Sequence, residues 1–143
     1  MKIEMTESPN PADLDTLKRR MREYEISVFP NLPDETKDIQ FCAFARNESD
    51  EIVGGIKAMI FWDGLEIDVL WVAPEYRRRG IASALVQEAE SRAVEKRAVV
   101  AYLKTVMAKE FYEELGYSVY GVLEDRPKGT LLYHMKKRLS SEG

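Results

Sequence analysis

The sequence predicts a mixed α/β domain, and three observations carry that prediction. Long segments keep apolar residues at helical period, short apolar and aromatic runs are bounded by turn residues, and one such run passes into a helix through an arginine- and glycine-containing turn. No repeat, low-complexity stretch or linker interrupts the 143 residues, so residues 1–143 read as a single domain.

Asn10-Pro11 is a helix start, a side-chain cap followed by a proline whose fixed φ suits the first turn. Leu14, Leu17, Met21, Tyr24 and Val28 then form one apolar stripe, and Pro30 and Pro33 end the helix. A strand follows from Ile39 to Arg46, then a polar turn from Asn47 to Asp50. Glu51 to Trp62 and Leu65 to Val72 read as a hairpin joined at Asp63-Gly64, with Gly54-Gly55 marking a bulge or a close backbone approach. After the turn Ala73 to Tyr76 and the arginines, Ala82, Leu85, Val86, Ala89 and Ala93 keep helical period. Ala98 to Leu103 is a compact strand. Val106 to Leu115 is a short helix with Met107, Phe111 and Leu115 on one face and Gly116 as its stop. Strands Tyr117 to Leu123 and Thr130 to Met135 flank a polar turn.

Composition excludes several classes of function. With 45% apolar and 32% charged residues the chain is globular rather than disordered. No apolar run approaches the ~18 residues of a membrane span, and MKIEMTESPN lacks the apolar core of a secretory signal. The lone Cys42 forms no internal disulfide and fits a reducing cytoplasm. One cysteine and one histidine cannot build a structural zinc site, so no metal is expected. A net charge of −4 argues against a nucleic-acid partner. Neither a nucleic acid nor a membrane is expected as partner; a homodimer stays open.

The segment Val72 to Leu85 is the most informative. The first N–H groups of a helix have no intrahelical partner, and the macrodipole adds positive charge there, so a strand ending before such a terminus makes an anion site. Gly80 permits close backbone approach, Ala82 and Ser83 are small, and Arg77, Arg78 and Arg79 add cationic donors.

Leu70-Trp71-Val72-Ala73-Pro74-Glu75-Tyr76-Arg77-Arg78-Arg79-Gly80-Ile81-Ala82 resembles the acetyl-CoA signature of the GNAT superfamily, Q/R-x-x-G-x-G/A after a strand ending in a V-x-P turn. Ala108 to Tyr117 resembles its second motif, A-x-x-F-Y-x-x-x-G-F/Y, one helix and one strand downstream. The resemblance covers nearly the whole chain. It implies a central mixed, mostly antiparallel sheet of about six or seven strands flanked by three to four helices, and an N-acetyltransferase using acetyl-CoA as co-substrate. It also implies that backbone amides from Arg78 to Ser83, through Arg79, Gly80, Ile81 and Ala82, hold the pyrophosphate, with Arg77 opening the loop. Pantetheine would lie against Leu70, Trp71 and Val72, where the strand parts from its neighbour, and Tyr112 would lie near the sulfur. Many relatives carry Asn where this chain has Thr105, whose hydroxyl could replace part of that contact.

The chemistry needs a base. A lysine-like amine with pKa near ~10.4 costs roughly 4–5 kcal/mol to deprotonate at pH 7, at ~1.36 kcal/mol per unit. Glu66 and Asp68 lie two apart on the strand before the loop and share a face; Glu66, Asp68 or water can serve. In some histone acetyltransferases of the family the general base stands at the spacing of Glu66 from Arg77. Tyr112, one position round from Phe111, is placed at the edge of the core, with its hydroxyl reaching a groove as proton donor to the leaving thiolate. His134 reads as a packing or surface residue, Cys42 as a buried inert thiol, and Lys136-Lys137-Arg138 as solvated.

The function expected is acetyl transfer to an amine by direct attack, the alternative being a non-catalytic acyl-CoA-binding or regulatory module of the same fold. The acceptor is a small-molecule or protein amine, and the acidic chain favours a cationic one such as a polyamine, an aminoglycoside or a lysine side chain.

Overall fold

The computed structural model describes residues 1–34 and 37–139. They fall into two compact units, one ending at Pro33 and the other beginning at Asp34.

The first unit is built on α1 (Pro11–Val28). Asn10 is extended and its Oδ1 accepts the Ala12 N–H at 2.9 Å, as the cap sequence dictates. Beyond Val28, the Phe29 N–H closes the last turn on the Glu25 carbonyl at 2.7 Å, and the Arg22 guanidinium donates to the Pro33 carbonyl at 2.8 Å. The apolar stripe forms as expected, but no α1 residue is buried.

In the second unit, a six-stranded sheet has the order β1-β2-β3-β4-β6-β5. Its strands are β1 (Ile39–Arg46), β2 (Ile52–Phe61), β3 (Gly64–Val72), β4 (Val100–Thr105), β5 (Ser118–Glu124) and β6 (Leu131–Arg138). Every pairing is antiparallel except β3 with β4. Helix α2 (Ile81–Glu95) crosses between β3 and β4, and α3 (Lys109–Glu114) joins β4 to β5. Leu85, Val86, Ala89 and Ala93 of α2 are buried with Leu65, Ala101, Leu103 and Met135 in one core. The architecture is the mixed, mostly antiparallel sheet with three helices that the sequence implies.

Several local readings need correction. The hairpin turn is Trp62-Asp63, both at positive φ (48° and 65°), while Gly64 is already paired with Phe61. Gly64 instead lies close under Tyr102, where a Cβ would stand 3.2 Å from the ring and the ring would have to give by a few tenths of an ångström. Ala98 is not in β4: its N–H closes α2 onto the Ala93 carbonyl at 2.9 Å, with Arg97 at φ 67° in the left-handed position. Helix α3 begins three residues late because the Thr105 hydroxyl accepts the Ala108 N–H at 3.0 Å, which holds residues 105–108 in a turn. Met107 consequently lies outside the helix and is exposed rather than packed. The Gly116 stop stands, at φ 97° with the Tyr117 N–H returning to the Tyr112 carbonyl at 3.0 Å.

Cys42 is exposed, not buried, because β1 alternates and Cys42 falls on its outer face with Gln40 and Phe44. Nor is the Lys136 to Arg138 run simply solvated. These residues continue β6, and the Lys137 ammonium turns inward to Glu90 at 2.9 Å. His134 packs edge-on to Tyr120, with ring centroids 6.0 Å apart. Gly54 fulfils the expectation of close approach: a Cβ would stand 3.2 Å from the Trp71 carbonyl and 3.3 Å from Val72. A register shift in the β1–β2 pairing falls beside it, leaving Val53 as the extra residue.

Candidate active site

The site is created where two parallel strands part. β3 and β4 share only the pairs Gly64–Val100, Leu65–Ala101 and Glu66–Tyr102, although β3 runs on to Val72 and β4 to Thr105. Asp68 is the extra residue of a bulge in β3 against Lys57 and Ala58, and bulged strands bend. From there β3 follows β2 to its end, where the Ala73 N–H donates to the Val53 carbonyl at 2.8 Å.

The chain then makes a short 3₁₀ turn, Pro74–Tyr76, and enters the arginine loop. Arg77 turns back on the strand, its Nε donating to the Val72 carbonyl at 2.8 Å. Arg78 has φ 64° and Gly80 φ 80°, so the loop winds with its amides turned out of the usual helical ladder. The first α2 hydrogen bond is from the Ala84 N–H to the Gly80 carbonyl. Among the described residues, the N–H groups from Arg78 to Ser83 therefore have no backbone acceptor, and no side chain caps them. No acidic residue stands in the first turn to offset the macrodipole. Among the described residues this is an uncapped N-terminus on a fifteen-residue helix, an arrangement whose free amides and dipole favour negative charge.

A cleft of about 700 Å³ opens beside it. One wall is Leu70, Trp71 and Val72, and its floor is Arg77, Arg78, Gly80, Ile81, Ala82 and Ser83. The facing side carries Met107, Ala108, Phe111 and Glu114. Nine of the residues singled out by sequence thus line one cleft. Arg79 does not; its guanidinium stacks over the Tyr76 ring at 5.1 Å. Thr105 does not either, its hydroxyl accepting from Ala108, and neither Glu66 nor Tyr112 is among the lining residues.

Tyr112 lies deeper than the sequence suggested. The helix stripe centres on Tyr112, which is 5% exposed, while Phe111 is only half-buried and forms the cleft wall. The packed stripe runs through Ala108, Tyr112 and Leu115, and Phe111 stands at its edge. Burial raises the Tyr112 phenol to about 12. Its ring meets Phe111 and Tyr117 edge-on, at 5.1 and 5.6 Å, and its hydroxyl makes no hydrogen bond to another described residue.

Glu66 and Asp68 lie on the sheet face opposite the buried Leu65 and Ile67. Glu66 is half-buried and pairs with Tyr102 at the last β3–β4 pair. Burial first, then the charge of Glu66, raises the Tyr102 phenol. Asp68 is exposed and its carboxylate lies 3.3 Å from the Lys57 ammonium. Residue patterns did not single out Tyr76, Met107, Ala108, Phe111 or Glu114 as site residues. The second motif contains Phe111, but only the parting of the strands brings its helix to face Leu70 to Val72.

The family described as Acetyltransferase (GNAT) family matches residues 4–117. A curated relative, Blasticidin-S acetyltransferase from Streptomyces morookaense, is 30% identical over 102 residues, covering 69% of this chain and 75% of its own. The crystal structure of an acetyltransferase from Bacillus cereus is 32% identical and superposes with TM-score 0.80, covering 94% of this chain and 97% of that one. An aminoglycoside 6′-N-acetyltransferase complexed with coenzyme A shares the fold at TM-score 0.65 and 21% identity, over 100% of this chain and 99% of its own.

Proposed function

The chain belongs to the GNAT family of acetyl-CoA-dependent acetyltransferases, and from that premise we propose that it acetylates a small cationic amine in the cleft between β3 and α3. The observation that carries this reading is the run of amides from Arg78 to Ser83 that has no acceptor among the described residues, all but Arg79 belonging to residues that line the cleft. That arrangement fits a diphosphate: six N–H donors and a helix dipole stand at one end of α2, and among the described residues the Arg78 guanidinium has no partner. Acetyl-CoA supplies an acyl group activated as a thioester. The outer β3 residues Leu70, Trp71 and Val72 offer, past the last β3–β4 pair, backbone groups to an extended amide chain.

Two side chains then divide the proton work. Glu66, at the fork of the strands, accepts a proton from the acceptor's ammonium, directly or through water, and the neutral amine so formed attacks the thioester carbonyl. Tyr112 is protonated throughout the neutral range, as any phenol is, and its burial makes it a weaker acid still, so its part is to donate a hydrogen bond toward the departing sulfur. The acceptor is read from charge and kinship together. The chain is acidic, and the curated relative is named for acetylating blasticidin S. The deciding experiment is thiol release from acetyl-CoA with blasticidin S, aminoglycosides, polyamines and a lysine peptide. Release with a small cationic amine supports the reading, and release with the peptide alone moves the acceptor to protein.

A further inference from the structure

Tyr112 is held by packing, whereas its neighbour Tyr117 is pinned at the hydroxyl. The Tyr117 O–H donates to Glu90 Oε2 at 2.7 Å, and Lys137 Nζ donates to both Glu90 oxygens at 2.9 and 3.2 Å. Glu90 belongs to α2, Lys137 to β6, and Tyr117 follows the end of α3, so three elements meet in one bonded cluster. The Tyr117 ring stands edge-on to Tyr112 at 71°, and its N–H donates to the Tyr112 carbonyl at 3.0 Å. The Lys137 ammonium also lies 5.5 Å from the centre of the Tyr117 ring.

The pair is mostly desolvated, with the side chains of Glu90 and Lys137 13% and 27% exposed. A desolvated ion pair adds little net stability over apolar packing of the same volume. What it adds is direction: charge-assisted hydrogen bonds fix the Tyr117 hydroxyl at a point, where apolar contact would let the ring slide. Glu90 stands about 15 Å along α2 from Gly80, at ~1.5 Å per residue. The helix that presents the free amides at one end therefore grips the neighbour of Tyr112 further along.

We propose that Glu90 and Lys137, acting through Tyr117, are positioning residues that fix the Tyr112 ring relative to the N-terminal amides of α2. This rests on the reading of Tyr112 as proton donor. The two ends of one extended co-substrate would then be received by groups whose separation is set by a rigid helix and one bonded cluster. A misplacement of the donor by about 1 Å can cost as much as 10²-fold in rate, so the effect belongs in kcat.

The test labels the full chain with 3-fluorotyrosine and follows the Tyr112 fluorine signal, assigned by its loss in Tyr112→Phe, with acetyl-CoA present. Glu90→Gln and Tyr117→Phe should each shift and broaden that signal while the protein still melts cooperatively. With blasticidin S, or whichever amine releases thiol, kcat should fall about 10-fold with KM for acetyl-CoA within about twofold. The same substitutions in a Tyr112→Phe background should cost no further kcat. An unmoved Tyr112 signal in both variants overturns the proposal, as does a full kcat loss that persists in the Tyr112→Phe background. Normal turnover of Tyr112→Phe alone defeats the donor reading instead, and the fluorine signal still decides whether the cluster positions the ring. Lys137→Met serves as the second variant should Glu90→Gln fail to fold.

Discussion

Glu66 and Tyr102 are partners in the last pair that β3 and β4 share, and beyond them the two strands separate. The carboxylate therefore sits at the fork, half-buried, with Tyr102 beside it and Asp68 further out, held by Lys57. Glu66→Gln keeps the shape and removes the base, so kcat should fall roughly 10²–10⁴-fold and the acidic limb of the pH–rate profile should vanish. Asp68→Asn should change kcat by less than about threefold, since an exposed carboxylate engaged by Lys57 is poorly placed to take a proton. Steady-state kinetics across pH decide between them; the reverse pattern would assign the base to Asp68.

Gly80 matters through its backbone. A Cβ at Gly80 would meet no protein atom within 4 Å, yet φ is 80°. The left-handed conformation costs an ordinary L-residue roughly 1–2 kcal/mol, a β-branched one most, and Asn least. A free loop with Val can shed that strain by leaving this conformation and must regain it on binding, so Gly80→Val should weaken acetyl-CoA binding about 10-fold, each ~1.4 kcal/mol being tenfold. Gly80→Asn should retain affinity within about threefold. Calorimetry on both variants tests this, and equal losses would place the requirement in contact with the ligand instead.

Thr105 caps the turn that sets the start of α3. Removing such a side-chain hydrogen bond costs about 0.5–1.5 kcal/mol of stability. Thr105→Val should lower the melting temperature while Thr105→Ser restores it, with KM for acetyl-CoA unchanged in both. A rise in KM without a change in melting temperature would restore Thr105 to the cofactor-binding residues.

The fold was legible wherever periodicity and local chemistry agreed. The Asn10 cap, the α2 stripe and the Gly116 stop depend on residues within a few positions, and each stands where the sequence puts it. The arginine loop was legible for the same reason, since free amides follow from the order strand, glycine, helix. What was not legible depends on long-range placement. The Glu90–Lys137 bond spans 47 positions, and nothing local distinguishes Lys137 from a solvated lysine. The bulge at Asp68 shows in neither composition nor spacing, although it redirects β3. Tyr112 stands at the centre of its stripe because the packed positions are Ala108, Tyr112 and Leu115, and the sequence alone does not tell that spacing from Met107, Phe111 and Leu115.

Tyr112→Phe separates the remaining alternatives, because it removes one oxygen and leaves the ring. The buried ring should keep its contacts with Phe111 and Tyr117, so folding and acetyl-CoA affinity should be almost unchanged. If the phenol donates its proton, kcat should fall about 10-fold or more. The pH dependence supplies a second readout. Burial raises this phenol from 10.0 to about 12, so the folded state disfavours its ionisation. That stability is fully present below pH 10 and is lost as pH rises toward about 12. The wild-type melting temperature should therefore fall through this window, and Tyr112→Phe, which has no proton to lose, should fall less steeply. Thermal melts between pH 8 and about 12 beside kcat at neutral pH give both answers. A Tyr112→Phe enzyme with wild-type kcat and the flatter alkaline melt would show a phenol that is buried as described but takes no part in proton transfer.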